Sequence, residues 1–200
     1  MVIFVLCGLF AAVLVGFSGL LRNTALPMPG LSAAITLGLV VLLAVSPDLR
    51  TRALSAGIRT LVGVHLFRFF GIYFVWLSRQ GLLASDFAML AGWGPIIIGI
   101  GAAIILVMFR PGDDRMRMAI LAWNVIGVLD ILLMTAVMTR LTKPDPLVQG
   151  GFTALPLSLV PTFIIPLAIV SHLLIFLWWF RARREPLTLR SAEESRALRN

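Results

Sequence analysis

Six apolar runs, each of about 17–25 residues and bounded by charge or proline, decide what this chain can fold into. They fall at Val2–Leu21, Gly30–Ser46, Arg59–Ser78, Phe87–Phe109, Met116–Thr139 and Leu157–Phe180. As α-helices rising about 1.5 Å per residue, runs of this length match a hydrocarbon layer of roughly 30 Å. The connections between them are short, so no soluble domain fits between the runs. The longest, Arg140 to Pro156, carries Pro144, Pro146, Gly150 and Gly151 and reads as an irregular surface loop. The expected fold is therefore all-α: a transmembrane helical bundle of six spans over residues 1–181, followed by a basic tail over 182–200.

Composition agrees with lipid as the solvent. Hydrophobic residues make up 60% of the 200 and charged residues 13%, against about 45–50% and about 25% in soluble domains. The net charge of +8 does not point to nucleic acid. The basic residues stand in short loops and at the C-terminal end, as topology signals facing an anionic leaflet do, with no basic block interleaved with aromatics. The single cysteine, Cys7, cannot form an internal disulfide, and Leu6 precedes it where a lipoprotein signal needs a small residue. No basic residue precedes the first apolar run, and the run is long enough to span. It is expected to be a retained first helix.

The arginines set an orientation. Arg50 and Arg52 fall in the second loop, with Arg59 just inside the next span. Arg110, Arg115 and Arg117 fall in the fourth, and Arg181, Arg183 and Arg184 open the tail. The odd loops hold only Arg22, Arg79, and Arg140 with Lys143. The bias puts the even loops and both termini in the cytoplasm, in a multi-pass protein of a bacterial inner membrane. Trp76, Trp178, Trp179 and Phe180 near span ends suit an interfacial belt. In the tail, Ser191 followed by Glu194 has the spacing of a capping box and predicts a short surface helix to about Leu198.

Ionisable side chains inside spans are costly in lipid and turn toward protein or water. Those here are Arg59, His65, Arg68, Asp130 and His172, with Asn124 as a neutral companion. Arg59 lies close enough to the cytoplasmic face to snorkel. The others fall at two matched depths when the spans alternate in direction: His65 with His172, and Arg68 with Asp130 one turn further out. Arg68, Asp130 and Asn124 are thus expected to form a buried polar centre. The Arg68–Asp130 pair reads either as a clamp between spans three and five or as a gated pair that changes partners. His65 and His172 read either as rings hydrogen-bonded to neighbouring helices or as axial ligands to a b-type haem. A metal held with Asp130 as third ligand would compete with Arg68 for that carboxylate, and no metal site is expected.

Glycines add packing signals. Gly127 lies angularly between Asn124 and Asp130, where another backbone can approach. Gly92, Gly94 and Pro95 predict a kink near the outer end of span four, while Gly99 and Ala103 form a small-residue ridge. Ser158, Pro161, Ile165 and His172 share one face of span six, which is expected to turn inward.

HLFR in span three, AWNVIG in span five and VPTFIIPLAIVSHLL in span six resemble segments of a group of uncharacterised bacterial polytopic membrane proteins of about this length. The resemblance runs from about Leu61 to Trp178. In that group glutamine often stands at the place of His65, which counts against a ligand role for that ring. The resemblance implies a membrane bundle and brings no activity. No nucleophile elbow, P-loop, dinucleotide fingerprint or zinc-protease helix is present. Three classes remain, in order: a structural or interaction subunit with other membrane-protein partners, a small-solute or ion carrier, and a bis-histidine haem b electron carrier.

Overall fold

The computed structural model describes residues 2–23, 28–83, 85–142 and 151–197. These are helical almost throughout, and among the described residues there is no strand. Residues 143–150 of the loop beyond Arg140, Lys143 among them, and the tail beyond Ala197 lie outside them.

Helix α1 covers Val2–Ser18 and is followed by a 3-10 turn over Leu20–Asn23. At 17 residues, α1 is about 25 Å long, shorter than the run from Val2 to Leu21 predicts. Helix α2 covers Met28–Val45. Pro47 cannot donate to a continuing ladder, so α2 stops and Pro47 instead starts the short α3, Pro47–Ser55, from an extended Ser46. Gly57, with φ +80°, turns the chain into α4, Gly57–Arg79. That helix ends in a Schellman motif: the Gly81 amide donates to Ser78 O and the Leu82 amide to Leu77 O, both at 3.0 Å.

One turn at Ser85–Ala88 leads into α5, Met89–Met108. Helix α6 covers Asp114–Thr142. Helix α7 begins with a π turn at Val160–Ile164 and runs on as Ile165–Ala197. It continues unbroken past Ser191, where a separate tail helix was expected to start. Among the described residues, five helices are long and apolar enough to cross a membrane: α2, α4, α5, α6 and the first part of α7. Large apolar residues on their outer faces remain exposed, as with Leu129, Leu132 and Leu133 on α6.

Two apolar clusters fill the bundle. One gathers Phe74, Ala91, Ile131, Met134, Val160 and Ile165 toward one end. The other gathers Leu61, Val62, Ala102, Ile120 and Ile175 toward the other. Along α4, α6 and α7 the polar residues of the middle lie between these clusters in sequence. The inward face expected on the last span is buried, with Ser158, Pro161, Ile165 and His172 all inside. Trp179 is also buried, whereas Trp76 is exposed.

The tight helix crossing is at a different glycine from the one expected. A Cβ on Gly71 would strike the Gly92 carbonyl oxygen, so α4 and α5 meet backbone to backbone there. Gly92 lies in a π turn at Met89–Trp93, and Pro95 follows in the first turn of the regular helix beyond it. Gly99 makes only ordinary contact with Phe69, at 3.6 Å. Arg59 reaches the C-terminal end of α5, donating to Leu106 O at 3.3 Å. This is one of the carbonyls a helix end leaves unpaired.

Candidate functional site: a buried polar centre

The middle of the bundle is organised by Arg68, 5% exposed on the 3-10 segment Val64–Phe70 of α4. A guanidinium has N–H donors and no acceptor, so each contact has a fixed direction. Arg68 Nη1 donates to Asp130 Oδ2 at 2.6 Å, the ion pair linking α4 to α6. Nη2 donates to the Gly127 carbonyl at 3.2 Å and to His172 Nε2 at 3.0 Å. Nε donates to His65 Nδ1 at 3.2 Å. One side chain thereby ties together α4, α6 and α7.

The same logic assigns both histidine tautomers. His172 Nε2 accepts from Arg68, so its proton is on Nδ1, which donates to Asn124 Oδ1 at 2.7 Å. Asn124 Nδ2 returns a bond to the His172 carbonyl at 3.2 Å. His65 Nδ1 accepts from Arg68, so Nε2 carries the proton and donates to Ser171 Oγ at 2.8 Å. Ser171 passes its own proton to Ala168 O at 2.9 Å. The rings are neutral and carry opposite tautomers.

Packing holds them in place. The two imidazole centroids are 4.1 Å apart at 41°, and Trp123 meets His65 edge-on at 4.9 Å. Trp123 Nε1 donates to Ile98 O at 3.0 Å. A Cβ at Gly101 would fall 2.7 Å from Trp123 Cδ1, so the indole lies flush on α5. Gly127 has its role from a side chain, not from the approaching backbone the sequence suggests. The His172 ring occupies the place where a larger residue would put its Cβ. Gly94 is likewise overlain by Asp130 Oδ1.

All five residues singled out in the sequence, His65, Arg68, Asn124, Asp130 and His172, therefore meet in one cluster. His65 is in ring contact with His172 and Arg68 is ion-paired with Asp130, and Arg68 also bridges to both rings. Ser171, Gly94 and the Gly127 carbonyl complete the site. Ser171 carries no local signal, because its partner His65 is 106 residues away.

The chemistry open to this cluster is narrow. A serine nucleophile needs a bare histidine nitrogen facing its hydroxyl, with an acceptor behind the ring holding the other proton. Here the ring is reversed: Arg68 occupies Nδ1, and Nε2 directs its proton at Ser171. Ser171 is an acceptor, not an activated nucleophile. The rings pack on each other with no gap for a macrocycle, and all four ring nitrogens are bonded within the protein. Among the described residues no group of three or more His, Cys, Asp or Glu side chains is arranged to hold a metal ion. Two buried side-chain oxygens among the described residues lack a partner, Ser32 Oγ and Ser158 Oγ, and both lie outside this cluster.

No curated protein and no solved structure matches the chain. A family model does, over residues 26–180, a stretch that contains every residue of the polar centre and extends beyond the segments from Leu61 to Trp178. By that match the chain belongs to the family described as Domain of unknown function (DUF8737).

Proposed function

We propose that this is a six-span protein of a bacterial inner membrane, with both termini cytoplasmic, that serves as a structural or interaction subunit of a membrane assembly. In this reading α1 is the first span and the polar centre is a static lock that fixes α4, α6 and α7 in one register. The observation that carries it is the connectivity of the centre: Arg68 bonds Asp130, Gly127, His65 and His172 at once. A site that moves a proton or solute keeps donors or acceptors open to it, whereas a fully connected network rigidifies. Purification at native expression level in mild detergent tests the reading. A subunit migrates in a larger complex with partners in fixed stoichiometry, and migration as a lone chain refutes it.

A second reading, a small-solute or ion carrier, is favoured by the irregular helix turns in and around the centre. The 3-10 segment at Val64–Phe70 and the π turns at Met89–Trp93 and Val160–Ile164 are of the kind found where helices flex at functional sites. Substrate-dependent uptake into vesicles, abolished by Asp130→Asn, would replace the first reading with this one. The haem b reading through His65 and His172 requires the two rings to part. A Soret band shifting on dithionite reduction would establish it, and a colourless protein removes it.

A further inference from the structure

Away from the polar centre, α1 packs on the segment that opens α7: Ala12 is buried, and a Cβ on Gly16 would fall 2.7 Å from Ser158 Oγ. The helix also leans on the start of α7, where Gly8 meets the Phe163 ring. Between α1, α2 and α7 this leaves a cavity of about 620 Å³, within the span of about 300–1,000 Å³ typical of single-ligand sites. Along α2 its wall runs from Leu31 to Leu43, which at about 1.5 Å per residue is about 18 Å. The shape is a lane, not a bowl.

Its lining is almost wholly hydrocarbon, and its few polar groups are informative. Thr162 donates its hydroxyl proton to Ser158 O, and Ser171 donates to Ala168 O. Neither offers a free donor to a guest in the middle of the lane. Among the described residues, the one charged side chain in the lining is Arg52 of α3, beside Leu49 and Ala53 at one end. Arg52 is exposed, and no carboxylate among the described residues forms an ion pair with it. An apolar lane with a single unpaired cation at its end matches an amphiphile with an anionic head.

We infer that this groove binds one anionic phospholipid, with an acyl chain along α2 and α7 and the phosphate against Arg52. Lipid tails are as apolar as the groove wall, so an acyl chain gains little by leaving the bilayer for it. Selectivity therefore rests on the guanidinium, whose planar fork suits phosphate oxygens. The inference is independent of what the polar centre does.

The test uses the full chain in vesicles of equal parts phosphatidylglycerol and phosphatidylcholine with matched acyl chains, released for native mass spectrometry. The wild type is expected to retain one phospholipid per chain, with phosphatidylglycerol preferred about fivefold. Arg52→Gln should keep a bound lipid and lose the preference. Leu39→Trp, which fills the lane, should lose the bound lipid while helical circular dichroism and melting stay unchanged. Val15→Trp makes the same test from α1 should Leu39→Trp fail to fold. Equal retention by wild type, Arg52→Gln and the filled variants would mean annular lipid only and overturn the site. A wild type that retains no lipid, or holds an apolar molecule without a phosphate, overturns it as well.

Discussion

Removing the Asp130 carboxylate strands a charge that the rest of the centre cannot neutralise. In Asp130→Ala, Arg68 keeps the Gly127 carbonyl, His172 Nε2 and His65 Nδ1 as acceptors but has no counter-ion. Breaking a buried pair from one side costs about 3–5 kcal/mol. The Asp130 side chain is 14% exposed against 5% for Arg68, so some solvation can replace the carboxylate and the lower end, about 3 kcal/mol, is expected. Arg68→Met should cost at least as much, because three acceptors lose their donor at about 1 kcal/mol or more each and Asp130 is left unpaired. The double variant removes both charges, giving a coupling energy of about 2–3 kcal/mol in a double-mutant cycle. Exchanging the two residues, which a simple two-partner pair tolerates, should rescue little. An arginine at 130 would have to reach two rings and the Gly127 carbonyl from the wrong helix. Reversible unfolding in mixed micelles, followed by tryptophan fluorescence, measures all four. Asp130→Ala unfolding like the wild type, or a coupling energy near zero, would show that the pair does not lock α4 to α6.

Three further outcomes follow from the same geometry. Gly127→Ala puts a methyl into the His172 ring, with Nε2 only 2.8 Å from the new Cβ; it should destabilise by about 1–3 kcal/mol, and His172→Ala in the same chain should relieve that strain component in the unfolding cycle. His65→Gln should cost less than about 1 kcal/mol, since the amide both accepts from Arg68 Nε and donates to Ser171. His65→Leu leaves that N–H unpaired and should cost about 1–3 kcal/mol; equal melting of the two variants would contradict the hydrogen-bond assignment. Reporter fusions should report Asn200 and the Arg110–Arg117 loop as cytoplasmic and the Arg140–Pro156 loop as external, and an external C-terminus would reverse the orientation.

Much of this molecule is legible in the sequence because partition into lipid depends on composition along the chain. Apolar runs locate α2, α4, α5, α6 and the start of α7 to within a few residues. Their cost in lipid singles out His65, Arg68, Asp130 and His172, and the rise per residue pairs them by depth. Depth, however, leaves each helix free to rotate about its axis, and rotation decides contact. Only the packed structure shows that Arg68 serves four acceptors rather than one, that the His172 ring lies on Gly127, and that Ser171 completes the network across 106 residues. The same holds for the crossing of α4 and α5. Gly71 and Gly92 read as ordinary glycines of apolar helices, and only packing sets them backbone to backbone beside a π turn, which no local spacing encodes. The groove beside α1 is the extreme case, because an apolar residue reads identically whether it packs against a neighbour or lines a groove. Helix identity was thus settled by residue-by-residue solvation, and register, rotation and vacant space by side chains that meet only after the helices have packed.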